Sequence, residues 1–125
     1  MRFAALCVAL ALTPVAGAAP GLKFAFAAPT HTPRVNAKWF YTVRATLRGK
    51  PVRATVTSQI VDPVGGIHAV EFGCCHRNVT GHPFTGVFRD YVRWPPEAQG
   101  IRLTFRVTVR ARGTKAVFPY WVQAR

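Results

Sequence analysis

The residue types best suited to chemistry fall in one stretch, Gly73 to Pro83, which reads G-C-C-H-R-N-V-T-G-H-P. Cys74 and Cys75 are adjacent, His76 follows them, and His68 and His82 lie close by in sequence. Neighbouring Cα atoms sit ~3.8 Å apart across a trans peptide, below the usual span of a disulfide. On a regular strand the two side chains would also point to opposite faces. A vicinal disulfide therefore requires a distorted turn, which Gly73 helps to build, and would stiffen the loop. A second reading is a soft-metal site of Cys74, Cys75, His76 and either His82 or His68, taking copper or zinc. The C-C-H order lacks the paired spacings of structural zinc sites, and Met1 is the only methionine, so a blue-copper centre has no axial sulfur. Free thiols, or bonds between chains, make the third reading. An oxidising compartment disfavours free thiols, and at this stage all three stand open.

Catalysis finds little to work with. Ser58 is the only serine and lies in a strand register outside any G-x-S-x-G elbow. The four carboxylates, Asp62, Glu71, Asp90 and Glu97, fall on separate elements, so no acid–base pair is visible. Asp90 shares the apolar phase of its strand with Phe88 and Val92, which a bulge or a hydrogen bond explains better than acid catalysis does. Asn78-Val79-Thr80 matches a glycosylation sequon by chance. Trp39, Phe40, Tyr41, Trp94, Tyr120 and Trp121 offer material for a carbohydrate platform, set against the ordinary role of such rings as core. The expectation is a protein that is not an enzyme and has no cofactor, with copper or zinc as the alternative.

Charge supplies a stronger signal. Seventeen Lys and Arg face four Asp and Glu, a net charge of +13, and thirteen of the basic residues are Arg. A field of that sign attracts polyanions. Arg102, Arg106 and Arg110 recur on one phase of a strand and form the candidate surface for an anionic envelope polymer or lipid, with another envelope protein as a further partner. No basic run interleaved with aromatics suggests a nucleic-acid module, so nucleic acid is not expected.

The elements that carry these residues are strands. Ile101 to Arg112 alternates apolar residues with Arg or Thr, the period of two that gives one apolar and one wet face. Trp39 to Arg48 and Val52 to Val61 alternate likewise around Gly49-Lys50-Pro51, which predicts an adjacent antiparallel pair. Ile67 to Phe72, Phe84 to Trp94 and Lys115 to Gln123 read as further strands. Leu22 to Ala28 reads as an edge strand or as the tail of a leader. At 125 residues there is room for one domain, and strands at these intervals predict a two-layer antiparallel sandwich. Ahead of it, Arg2, the apolar run Phe3 to Leu12 and Ala16-Gly17-Ala18 predict a helical signal peptide over residues 1–18. Ala25-Phe26-Ala27 offers a second cleavage site. The apolar run is far shorter than the ~20 residues of a membrane span, and no second such run follows. The expected product is secreted or cell-envelope associated, with no transmembrane span in the mature chain and a net charge near +12.

The run G-V-F-R-D-Y-V-R-W-P-P-E-A-Q-G-I-R-L-T-F-R-V-T-V (Gly86 to Val109) resembles the penultimate strand pair of immunoglobulin-like domains in small secreted bacterial proteins. T-H-T-P-R-V-N-A-K-W-F-Y-T-V (Thr30 to Val43) is similar to their opening strand. The resemblance implies an all-β immunoglobulin-like sandwich of about seven strands and implies export, but carries no active site. It places an extended segment at 19–38 and the domain at 39–125. The cysteine pair that staples the two sheets of antibody domains is absent. Together these readings predict a non-catalytic exported binding or structural module at the cell envelope. The alternative is a metal-binding envelope protein built on Cys74-Cys75-His76.

Overall fold

Alternation of apolar and polar residues governs the architecture. The computed structural model describes residues 19–75 and 80–125, so the leader expected over 1–18 and the residues His76 to Val79 lie outside it. The described strands are β1 (Leu22–Ala27), β2 (Lys38–Leu47), β3 (Lys50–Pro51), β4 (Arg53–Val61), β5 (Ile67–Ala69), β6 (His82–Thr85), β7 (Val87–Arg93), β8 (Arg102–Ala111) and β9 (Thr114–Gln123). They form two antiparallel sheets. In the first, β2 is flanked by β1 on one side and by β7 with the short β3 on the other. In the second, β5 and β6 line up along one edge of β4, and β8 and β9 follow on its other side.

Each sheet turns its apolar phase toward the other. Phe26, Trp39, Tyr41, Val43 and Phe88 of the first sheet meet Val56, Phe105, Val107, Phe118 and Val122 of the second in one buried cluster. Phe105 is its hub. The ring is fully buried and lies 4.9 Å from Tyr41, 5.4 Å from Trp39 and 6.2 Å from Trp94, each in an edge-on arrangement. Burial of one such ring contributes about 1.5–3 kcal/mol, and edge-on aromatic contacts add to it.

Three local expectations are corrected. β2 and β4 do not pair as a hairpin, because both edges of β2 are already taken by β1 and β7. The chain makes only the Leu47↔Lys50 and Thr46↔Pro51 pairs before it crosses to the second sheet at Val52. Phe84 to Trp94 is not one strand either. Gly86, at φ 76°, divides it into β6 in one sheet and β7 in the other, and an added Cβ there would meet Pro51 at 2.8 Å. Ile67 to Phe72 shortens to β5, with Phe72 in an isolated bridge.

The segment before residue 39 belongs to the fold. β1 pairs with β2 over six residues and buries Phe24 and Phe26. Residues 31–35 run beside the end of β9: Gln123 donates to the His31 carbonyl, Arg125 to that of Pro33, and Val35 to that of Arg125. This covers part of an otherwise open strand edge.

Candidate functional site

Two regions collect the residues singled out by type. The first is the loop between β5 and β6, which packs against β7. Phe72 is buried there, packs edge-on against Phe88 at 5.6 Å and lies tilted against the His82 ring at 5.1 Å. His82 also lies 5.2 Å from Phe88. Cys74 and Cys75 are joined as a vicinal disulfide, with Cα atoms 3.8 Å apart. Their sulfurs and a His82 ring nitrogen all lie within 4.8 Å of one another. Nδ1 of His82 is buried with no hydrogen-bond partner among the described residues.

Asp90 explains why the chain turns so tightly here. Its carboxylate is buried on the inner face of β7 and accepts hydrogen bonds from the backbone N–H of Gly73 (3.0 Å) and of Cys74 (2.8 Å). Two charge-assisted bonds of this kind satisfy a carboxylate that would otherwise be costly to bury. Gly73 lies so close to Tyr91 that a Cβ would sit 2.6 Å from its ring. Beside Asp90 in register stands Tyr41, whose hydroxyl shares a buried hydrogen bond with Ser58 at 3.1 Å. Burial raises the Tyr41 pKa well above its ordinary value, the Ser58 bond opposes the shift, and the Asp90 charge adds to it. Ser58 is thus a buried partner of a phenol.

His68, the other proposed ligand, is occupied elsewhere. It bonds the carboxylate of Asp62 at 2.8 Å, and that bond is the leading cause of the lowered Asp62 pKa. His76 and the sequon residues Asn78 and Val79 fall outside the described residues. The six aromatics of the imagined carbohydrate platform are dispersed. Trp39, Tyr41 and Trp94 are buried, while Phe40 and Trp121 lie on the outer faces of different sheets.

The second region is the cationic surface. Arg102, Arg106 and Arg110 share the outer face of β8, as the period of two requires. Two of them are engaged: Arg102 lies over the Trp121 ring at 4.0 Å, and Arg106 donates twice to Oε1 of Gln59 (2.8 and 3.3 Å). Arg110 is exposed and opens onto a cleft that it lines with Arg53 and Arg112. Arg112 also lines a neighbouring cleft with Arg48 and Lys50. Sequence reasoning named only Arg110 of this end, because its residues are scattered between 48 and 112 and only the topology gathers them.

The turns that build this end share one design. Arg48-Gly49 joins the Leu47↔Lys50 pair, and Arg112-Gly113 joins the Ala111↔Thr114 pair. All four residues have positive φ: 52° and 80° in the first turn, 52° and 73° in the second. Two-residue hairpins of this kind favour Asn or Asp at the first position, and a left-handed conformation costs most other residues about 1–2 kcal/mol. Arg occupies that place twice. The only ion pair among the described residues is His68–Asp62, so none of the described Arg or Lys residues there is neutralised by a carboxylate. Comparison with known protein families, curated proteins and solved structures finds no match.

Proposed function

We propose that the chain is an exported, non-catalytic sandwich of the immunoglobulin-like type that holds an anionic surface of the cell envelope at its basic end. The observation that carries this reading is the gathering of Arg48, Lys50, Arg53, Arg110 and Arg112 around two adjoining clefts, with no acidic residue lining either. Placing Arg twice at turn positions that favour Asn or Asp gives up stability for charge at that end. The strand order supports the immunoglobulin-like type. Three main strands (β1, β2, β7) face four (β4, β8, β9 and the interrupted β5/β6), with long-range antiparallel pairing in each sheet. Export rests on the leader pattern of Arg2, Phe3 to Leu12 and Ala16-Gly17-Ala18.

The test is sedimentation with vesicles of phosphatidylglycerol in phosphatidylcholine, and titration with a soluble polyphosphate, across a salt series. Each basic side chain near an anionic surface contributes about 1 kcal/mol. The triple variant Arg53→Gln, Arg110→Gln, Arg112→Gln is expected to lose about 10–100-fold in affinity, and binding to weaken steeply with salt. Replacing Arg102 and Arg106 should cost less, because their guanidinium groups already have protein partners. Preference for vesicles over polyphosphate, or the reverse, tells lipid headgroup from acidic polymer. Affinity that ignores both salt and the triple variant overturns the proposal.

A further inference from the structure

We propose that Cys74, Cys75 and His82 form a redox-gated site for a soft monovalent cation, copper(I), which binds after a dithiol has opened the vicinal disulfide. The site is independent of the basic end, and among the ligands suggested by the sequence it takes Cys74, Cys75 and His82.

The geometry points to three donors in one place. Both sulfurs and a His82 ring nitrogen lie within 4.8 Å of one another. A trigonal centre with bonds of about 2.3 Å keeps its donors about 4 Å apart, so the two sulfurs must part when their bond opens while His82 stays within reach. His82 brings an unused nitrogen: Nδ1 is buried and has no partner among the described residues. A buried polar atom left without a partner is costly, and a cation held at Nδ1 would remove that cost. The backbone under the cysteines does not depend on the disulfide for its position. Asp90 holds the N–H groups of Gly73 and Cys74, so the two thiols stay beside His82 when the bond between them opens.

Chemistry selects the metal. Two thiolates and one imidazole form a soft set, which suits copper(I). Structural zinc takes four ligands in a tetrahedron, whereas the described residues gather three donors here, with Phe72 and Phe88 as apolar walls to the His82 ring. The gate is a two-electron exchange. The dithiol breaks the Cys74–Cys75 bond, passes two electrons and two protons to the pair, and leaves as its own disulfide. Each new thiol then releases its proton to solvent on taking the metal. The loaded site carries one negative charge, favoured within a chain of net charge +13.

The chain without its leader, and so without Cys7, is reduced with dithiothreitol, desalted under nitrogen and titrated with copper(I) against a colorimetric copper(I) chelator, beside an oxidised sample. Reduced protein is expected to bind one equivalent, with sulfur-to-copper charge-transfer absorption in the ultraviolet and a raised melting temperature. Oxidised protein is expected to bind at least about 100-fold more weakly. Cys75→Ser should lose affinity to the same extent. His82→Phe, which keeps a ring against Phe72 and Phe88, should weaken binding about 10–100-fold while the metal-free protein still melts cooperatively. Equal binding by oxidised and reduced protein overturns the gate. Unchanged affinity in His82→Phe, or in Cys75→Ser, overturns the ligand set.

Discussion

The loop flank and the basic end are both built from residues that ordinary strands would not choose, yet they are held in opposite ways. At the flank, a buried carboxylate, two aromatic rings and a glycine pressed on Tyr91 leave the backbone one place to go. At the basic end, almost nothing is held: Arg110 and Arg112 are exposed, and no carboxylate approaches them among the described residues. One region spends its unusual residues on position and the other on charge. A site for a small ligand needs the first, and a surface for an extended polyanion is served by the second.

The largest effect that sharpens this contrast is expected from Asp90→Ala. It leaves two part-buried loop amides without their acceptor, and hydrogen bonds to a charged group are worth about 1.5–3 kcal/mol each. Water entering the vacated space offsets part of the loss, so urea denaturation should show about 3 kcal/mol less stability. Amide hydrogen exchange at Gly73 and Cys74 should quicken more than at the centre of β8. Asp90→Asn, which keeps one acceptor, should lose less. A change below about 0.5 kcal/mol in Asp90→Ala would mean that the loop is positioned by its rings alone.

The basic end should respond in the reverse sense. Arg48→Asn with Arg112→Asn places the favoured residue type at two left-handed positions and removes two cations from a like-charged cluster. Each change is expected to raise stability by about 0.5–1 kcal/mol, while affinity for phosphatidylglycerol vesicles falls. Arg48 is the less free of the two, since its N–H donates to the Gly21 carbonyl and its side chain lies against that turn. Arg112→Asn is therefore the cleaner measurement. If stability falls in Arg112→Asn, the arginine at that turn serves the fold and not the charge.

What the sequence made legible follows the same division. Period-two alternation placed β2, β4 and β8 and their inner faces, because each long strand must bury one face. It also placed Asp90 and Ser58 in the apolar phase, and the structure gives them buried partners: loop amides for Asp90, a phenol for Ser58. Pairing was less legible. Gly49-Lys50-Pro51 looked like the turn of a hairpin between β2 and β4, but sequence carries no sign that β1 and β7 already fill both edges of β2. Gly86 hid a change of sheet inside what read as one strand, since glycine in a strand can equally mark a bulge. The basic end was legible only at Arg110, for a related reason: Arg48, Arg53 and Arg112 are distant in sequence and meet only through topology.

The smallest effect expected is that of the disulfide on stability. A bond between neighbours closes almost no chain, so its constraint on the unfolded state amounts to about 1 kcal/mol at most. Cys74→Ser with Cys75→Ser should accordingly unfold in urea within about 1 kcal/mol of the parent. Reduction of the parent should do the same. If Asp90 fixes the loop, the amides of Gly73 and Cys74 remain protected from exchange in reduced protein, because their acceptor is the carboxylate and not the ring closed by sulfur. A loss of several kcal/mol on reduction, or exchange of those amides at the rate of an open chain, would make the disulfide the anchor. The thiols would then separate from His82 on opening, and the flank would no longer differ in kind from the unrestrained basic end.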